Sequence, residues 1–109
     1  MAVRYVDEGM RMEDHPGIVF RDGPTGRRAG LAGGPDVWEV ISVLQDQTEE
    51  GDAAVKAAAE WLSLPSADVR AALSYYGAFI DEVGIRIQAN REDAEAAEAA
   101  WRRGQAALT

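Results

Sequence analysis

A chain of 109 residues with no cysteine, one histidine and a formal charge of −8 has room for one domain and one continuous core. That composition excludes a disulfide framework, a thiolate metal site and a zinc cluster built on His15. The apolar runs fall short of the ~20 residues of a membrane span and the first residues lack the order of a secretory leader, so the expectation is a soluble, cytoplasmic protein.

Residues 1–34 read as a β-rich N-terminal arm. Val3 to Val6 is expected to form a short strand. Ile18 to Arg21 and Arg28 to Leu31 flank Gly23-Pro24-Thr25-Gly26, the pattern of a hairpin with turn formers in the middle. A lone two-stranded hairpin is marginal in water, so it must lean on helices or pair with a second copy, and a homodimer is expected. Gly30 to Pro35 reads as a linker into a helix, with Pro35 and Asp36 as start signals.

Residues 35–79 read as three short amphipathic helices. The first, from about Pro35 to Gln47, aligns Val37, Val40, Ile41 and Leu44. The second starts at Asp52 as N-cap and aligns Val55, Ala58, Ala59 and Leu62. Ser66 is expected to cap the third, with Val69, Ala72, Leu73 and Tyr76 inward. The tight Ser63-Leu64-Pro65 connection makes the last two a helix-turn-helix, although a plain helical hairpin gives the same periodicity. Trp38 and Trp61, each beside an apolar stripe, are expected in the core.

Residues 80–109 form the most regular stretch. Ile80, Val83, Ile87, Asn90, Ala94, Ala97, Trp101, Gly104 and Leu108 recur at alternating spacings of three and four, a seam along one long helix. Alanine, Asn90 and Gly104 give that seam little apolar area, so a coiled coil built on it would be poor. A helix that docks in a partner's groove through Ile80, Val83, Ile87, Trp101 and Leu108 is the better account; a helix packed on its own domain is the alternative. The fold class expected is therefore mainly α with a small N-terminal hairpin, a helix-turn-helix core and a long C-terminal helix.

Charge is spread unevenly along the chain. Five arginines balance five acids from Met1 to Pro35, seven acids stand against Lys56 alone from Asp36 to Pro65, and five arginines face seven acids thereafter. Phosphate neutralisation drives nonspecific DNA binding, so tight binding by an acidic monomer is not expected. Arg21, Arg27 and Arg28 near the hairpin, and Ser66, Asp68, Arg70 and Ser74 on the third helix, are the candidate nucleic-acid contacts. Most carboxylates fall on helix faces expected to be solvated, and no nucleophile accompanies His15. The Gly23 to Arg28 stretch lacks the lysine of a phosphate loop. Recognition rather than catalysis is the expectation, with no enzyme activity and no cofactor.

Four stretches carry a resemblance: Gly23-Pro24-Thr25-Gly26-Arg27-Arg28-Ala29, Asp36-Val37-Trp38-Glu39-Val40, Val69-Arg70-Ala71-Ala72-Leu73 with Tyr75-Tyr76, and Asp81-Glu82-Val83 leading to Asn90-Arg91. In this order, from about His15 to Arg91, the chain resembles the helix-turn-helix antitoxin family encoded beside PIN-like ribonuclease toxins, long catalogued as a domain of unknown function. Gly84 departs from the pattern, which would place an acidic residue there, and weakens a helix by ~1 kcal/mol relative to alanine. The resemblance implies a dimeric antitoxin whose body binds its operator DNA and whose last helix occludes the toxin. It also implies that an arginine among Arg86, Arg91, Arg102 and Arg103 enters the toxin's carboxylate-lined site. A free-standing transcriptional regulator and an adaptor module are the rival readings.

Overall fold

The computed structural model of the chain describes residues 2–23 and 26–108, and side chains from residue 7 onward. Five helices and one hairpin follow in the order α1 (Ala2–Asp14), β1 (Ile18–Gly23), β2 (Gly26–Leu31), α2 (Val37–Gln45), α3 (Gly51–Leu62), α4 (Ser66–Ala78) and α5 (Ile80–Ala106). The architecture is mainly helical, with a small N-terminal hairpin and a long C-terminal helix. One expectation fails outright: Val3 to Val6 lies in α1 rather than in a strand. Val3, Val6 and Met10 recur at three and four, the spacing of one helix face.

The hairpin pairs Ile18 with Leu31, Phe20 with Ala29 and Arg21 with Arg28, ending at Gly23 and Gly26; Pro24 and Thr25 of the expected turn lie outside the described residues. Alternation along each strand sends Ile18, Phe20, Ala29 and Leu31 to one face. That face meets α2 and α4, so the hairpin finds its support within the chain. The opposite face sets two guanidinium groups side by side, a pairing that repels unless an anion intervenes. Asp36 supplies it, accepting from Arg21 Nη2 at 3.1 Å and from Arg28 Nε. Gly23 and Gly30 make room, since the Arg28 and Arg21 guanidinium groups occupy the places their Cβ atoms would take. Gly30 and Leu31 therefore belong to β2, and the linker is the shorter Ala32 to Pro35 turn.

Asp36 is also the N-cap of α2, with its backbone amide donating to Glu39 Oε2 at 3.0 Å, the reciprocal half of a capping box. The helix is shorter at both ends than the expected Pro35 to Gln47. α3 is capped by Glu50, which leaves Asp52 in its first turn, not at the cap. Ser63 closes α3 in the left-handed region (φ 56°), and Leu64 N–H reaches back to the Ala59 carbonyl at 2.9 Å. Pro65 rather than Ser66 caps α4; its carbonyl receives the Asp68 amide at 3.0 Å, and Ser66 is the first helical residue.

The core joins the hairpin to four helices. Val37, Val40, Ile41, Val55, Ala58, Ala59, Val69 and Ala72 are buried as their spacing required. On α4 the inward aromatic residue is Tyr75, with no exposed surface, while Tyr76 is half-buried and Leu73 is exposed. Tyr75 is turned in because Phe20, Phe79 and His15 present rings to it, with centroids 6.2, 4.6 and 5.4 Å away. Trp38 is half-buried and packs against the core beside a cleft, whereas Trp61 departs from expectation and is 77% exposed at the end of α3.

α5 runs unbroken through Gly84. Val83 and Ile87 pack into the core against α2, and Arg91 Nη2 donates to Gln45 Oε1 at 3.1 Å. Past Arg91 the helix leaves the body, and every described residue from 92 to 108 except half-buried Ala99 is exposed. The molecule measures 56 × 39 × 23 Å with a radius of gyration of 16.4 Å, against about 13 Å for a compact chain of this length.

Candidate partner-binding site

The projecting half of α5 carries Trp101 at 66% exposure, and Leu108, just past its end, is 78% exposed. Two large apolar side chains on an otherwise polar, unsupported helix are the composition of docking anchors. About five turns separate Val83 from Trp101, so the two share one azimuth of the helix. The residues expected to contact a partner divide accordingly. Ile80, Trp101, Arg103 and Leu108 are exposed. Arg91 is tied to Gln45, and Arg102 is paired with Glu98 one turn back. Val83 and Ile87 correct the expectation: each is 4% exposed and belongs to this domain's own core, where the apolar seam is spent on α2.

At the foot of the projecting helix a cleft of about 250 Å³ opens between α1, the hairpin, α2 and α5. Its floor is apolar, formed by Phe20, Ala29, Val37, Trp38 and Val83. Its rim is charged. On one side Glu8 of α1 takes Arg27 bidentately, at 3.0 Å from Nε to Oε2 and 2.8 Å from Nη2 to Oε1. The Glu8 carboxylate holds the Arg27 guanidinium above its ordinary value. On the other side Arg11 Nη1 donates to Tyr75 Oη and to Glu82 Oε1, both at 2.8 Å, while the Tyr75 hydroxyl donates to Glu82 Oε2 at 2.6 Å.

Arg11 is the hub of this cluster. Its Nε lies 3.0 Å from Asp7 Oδ2, an ion-pair contact off the line of a hydrogen bond, and its guanidinium carbon sits 3.9 Å from the centre of the Phe79 ring. Burial works against its charge, but the hydrogen bonds it donates to Glu82 and Tyr75 outweigh it and the group is held above its usual value. Burial pushes the Tyr75 phenol up, and the neighbouring Glu82 carboxylate adds to the shift.

The candidate nucleic-acid contacts are largely engaged inside the molecule. Arg21 and Arg28 converge on Asp36, with Arg21 Nη2 also donating to the Gly34 carbonyl at 2.9 Å, and Arg27 is held by Glu8. Like-charged neighbours on a narrow ribbon need anions, and the chain provides them. On α4, Ser66 and Asp68 are half-buried, Arg70 lies 3.4 Å from Asp52, and Ser74 Oγ lies 3.5 Å from His15 Nδ1. The His15 to Gly17 turn crosses α4 there, with Gly17 close to Ala71.

The residues that sequence reasoning missed are Glu8, Arg11, Trp38, Tyr75 and Glu82. Had α1 been read as a helix, the three-residue interval from Glu8 to Arg11 would have placed both on one face. Comparisons with family models, with curated proteins and with solved structures return no match.

Proposed function

We propose that this chain is an antitoxin of a type II toxin-antitoxin pair. In this reading it acts as a cytoplasmic homodimer that binds and neutralises a PIN-like ribonuclease toxin through α5. The observation that carries the reading is the segment from 92 to 108, which holds Trp101 on the helix and Leu108 just past its end in solvent, with every described residue but Ala99 exposed. A helix of that length is marginal in water without tertiary contacts, so a partner groove both orders it and covers its apolar residues. Arg102 and Arg103, one turn beyond the acidic stretch of Glu92 to Glu98, would meet a carboxylate-lined site on the toxin. The ordered resemblance from His15 to Arg91 supports the same assignment.

The test is co-expression with the neighbouring reading frame, followed by copurification and an RNA cleavage assay. The cut belongs at residue 92, because Val83 and Ile87 hold the core together. The truncated chain is expected to unfold within ~0.5 kcal/mol of the full chain in urea while the complex is lost and cleavage is released. Trp101→Ala in the full chain is expected to weaken the complex by about 2 kcal/mol, roughly 30-fold, by calorimetry. A complex that survives both changes would remove α5 from the interface.

The packing of α2, α3 and α4 on one another, with α4 after a tight turn, supports a second reading, a stand-alone helix-turn-helix regulator. In that case binding to the DNA upstream of its own gene would survive truncation at 92, and no complex with a toxin would form.

A further inference from the structure

We propose that residues 90–108 pair with the same segment of a second copy of this chain, antiparallel and centred on residue 99. The argument starts from the order of sizes along the exposed half of the seam: Ala94, Ala97, Trp101 and Gly104, with Leu108 just past the helix end. Ala94 and Gly104 stand five residues either side of 99, and Ala97 and Trp101 stand two either side. An antiparallel copy centred there sets Trp101 across from the partner's Ala97 and Gly104 across from the partner's Ala94. It also brings Leu108 level with the partner's Asn90. Each large apolar side chain then meets a smaller one, the alternation that lets facing helices interdigitate. Parallel helices in register do the opposite, setting indole against indole and glycine against glycine, and that is the arrangement in which this seam is poor.

Charge selects the same orientation. The exposed segment is acidic first and basic last, with Glu92, Asp93, Glu95 and Glu98 ahead of Arg102 and Arg103. On a heptad with Ala94 at the first core position, Glu95, Glu98 and Arg102 flank the seam on one side, and Asp93 and Arg103 on the other. The antiparallel register brings the partner's Arg102 level with Glu95 and Glu98, and the partner's Arg103 level with Asp93, each within ~3 Å along the axis. A parallel pair sets the four acids against four acids. Exposed ion pairs contribute little each, so charge fixes direction and register, while burial of two indoles drives association.

The fold sets where the pairing stops. Val83 and Ile87 are taken by the body of the chain, which α2 packs against α5, and Asn90 is the next residue on the seam. A partner segment that ends level with Asn90 needs nothing from the covered stretch. The contact is isologous, each copy offering Trp101 and receiving the other's, so it closes at two chains. This pairing does not depend on the antitoxin reading. Where that reading holds, the toxin and the second copy compete for the face that carries Trp101.

The experiment uses the full chain, whose lack of cysteine lets single cysteines report the register. Ala94→Cys and Gly104→Cys variants are oxidised with glutathione, separately and mixed. The expected product is a mixed disulfide joining one of each. Neither variant is expected to cross-link with itself, because like positions lie ten residues, ~15 Å, apart along the axis, beyond the reach of a disulfide. Self-linked products instead of the mixed one would mean a parallel pair, and no product at all would mean no pair; either overturns the proposal.

Sedimentation gives an independent reading. Wild type is expected to pass from the mass of one chain to that of two as concentration rises, and Trp101→Ala and the double variant Arg102→Glu, Arg103→Glu are each expected to raise the midpoint at least about tenfold. The substituted side chains are exposed, so unchanged urea midpoints are expected to accompany the loss. A two-chain species whose midpoint ignores both variants would place self-association on another surface and overturn the proposal. Failure of a toxin to bind leaves these results unaffected and counts against the antitoxin reading alone.

Discussion

Tyr75→Ala is expected to cost about 3–5 kcal/mol, enough to bring a domain of this size close to unfolding at ambient temperature. The residue is the largest fully buried side chain among the described residues, and its ring is met by His15 after α1, Phe20 of β1 and Phe79 between α4 and α5. Truncation empties that junction, and the backbones around it are tied into helices and a hairpin that cannot all collapse inward. Tyr75→Phe separates the ring from the hydroxyl. It keeps the packing and removes the atom shared by Arg11 and Glu82, with an expected loss of about 1 kcal/mol, because the Arg11 to Glu82 contact itself survives.

The same pair of variants reads a pH dependence. The Tyr75 phenol is held above its ordinary 10.0 in the folded state, chiefly by burial. The folded chain therefore keeps a proton that the unfolded chain releases, and the stability tied to it is complete below pH 10 and is lost as pH rises above 10. Urea midpoints between pH 8 and 11 are expected to fall more steeply in wild type than in Tyr75→Phe. Parallel curves would mean that the phenol ionises as readily in the fold as outside it.

Asp36→Ala is expected to cost about 2–4 kcal/mol, more than an N-cap alone contributes. The carboxylate, 6% exposed, lies between Arg21 and Arg28 at the start of α2 and balances two cations that the strand register sets opposite each other. Its loss leaves two guanidinium groups facing one another with only the carbonyls of Leu31 and Gly34 for company on the Arg21 side. Both arginines are about a third exposed or less, so water relieves part of the repulsion and holds the figure below that of a fully buried pair. Asp36→Asn keeps an oxygen for the helix but not the charge, and is expected to fall between wild type and alanine. Equal midpoints for alanine and asparagine would assign the whole effect to charge; a wild-type midpoint for asparagine would assign it to the cap.

The hairpin and the three middle helices were legible because their signals are local. Gly23 and Gly26 marked the turn, and spacings of three and four marked Val37 to Ile41 and Val55 to Ala59. Val3 to Val6 was ambiguous for a physical reason, since its β-branched and aromatic residues, Val3, Tyr5 and Val6, suit either state until something pairs with them. Tyr75 and Tyr76 are both compatible with the period of α4, and only the rings arriving from the His15 turn, β1 and Phe79 choose between them.

The arginines of the hairpin looked like a surface patch because their partners are distant in sequence. Asp36 lies eight or more residues away, and Glu8 sits on a helix of which only Val3 to Val6 was read, as a strand. Gly23 and Gly30 held the available clue, because glycines diagonal to arginines leave space for guanidinium groups to lie flat on the ribbon. In α5 the regular seam was visible, but not that α2 would take its first two turns and leave the rest uncovered.

That uncovered stretch holds its shape through its own contacts, among them the pair of Glu98 with Arg102, and through an abundance of alanine. Its helix-coil balance is therefore set by residues such as Ala96 and Ala100, which lie off the azimuth of Trp101. Any ligand that demands the helical form must first draw it from that equilibrium, so a substitution there touching no ligand atom retunes affinity by a few tenths of a kcal/mol per residue. On the proposed role of α5, binding strength would be a graded property of chain stiffness, open to adjustment without disturbing the exposed face that carries Trp101.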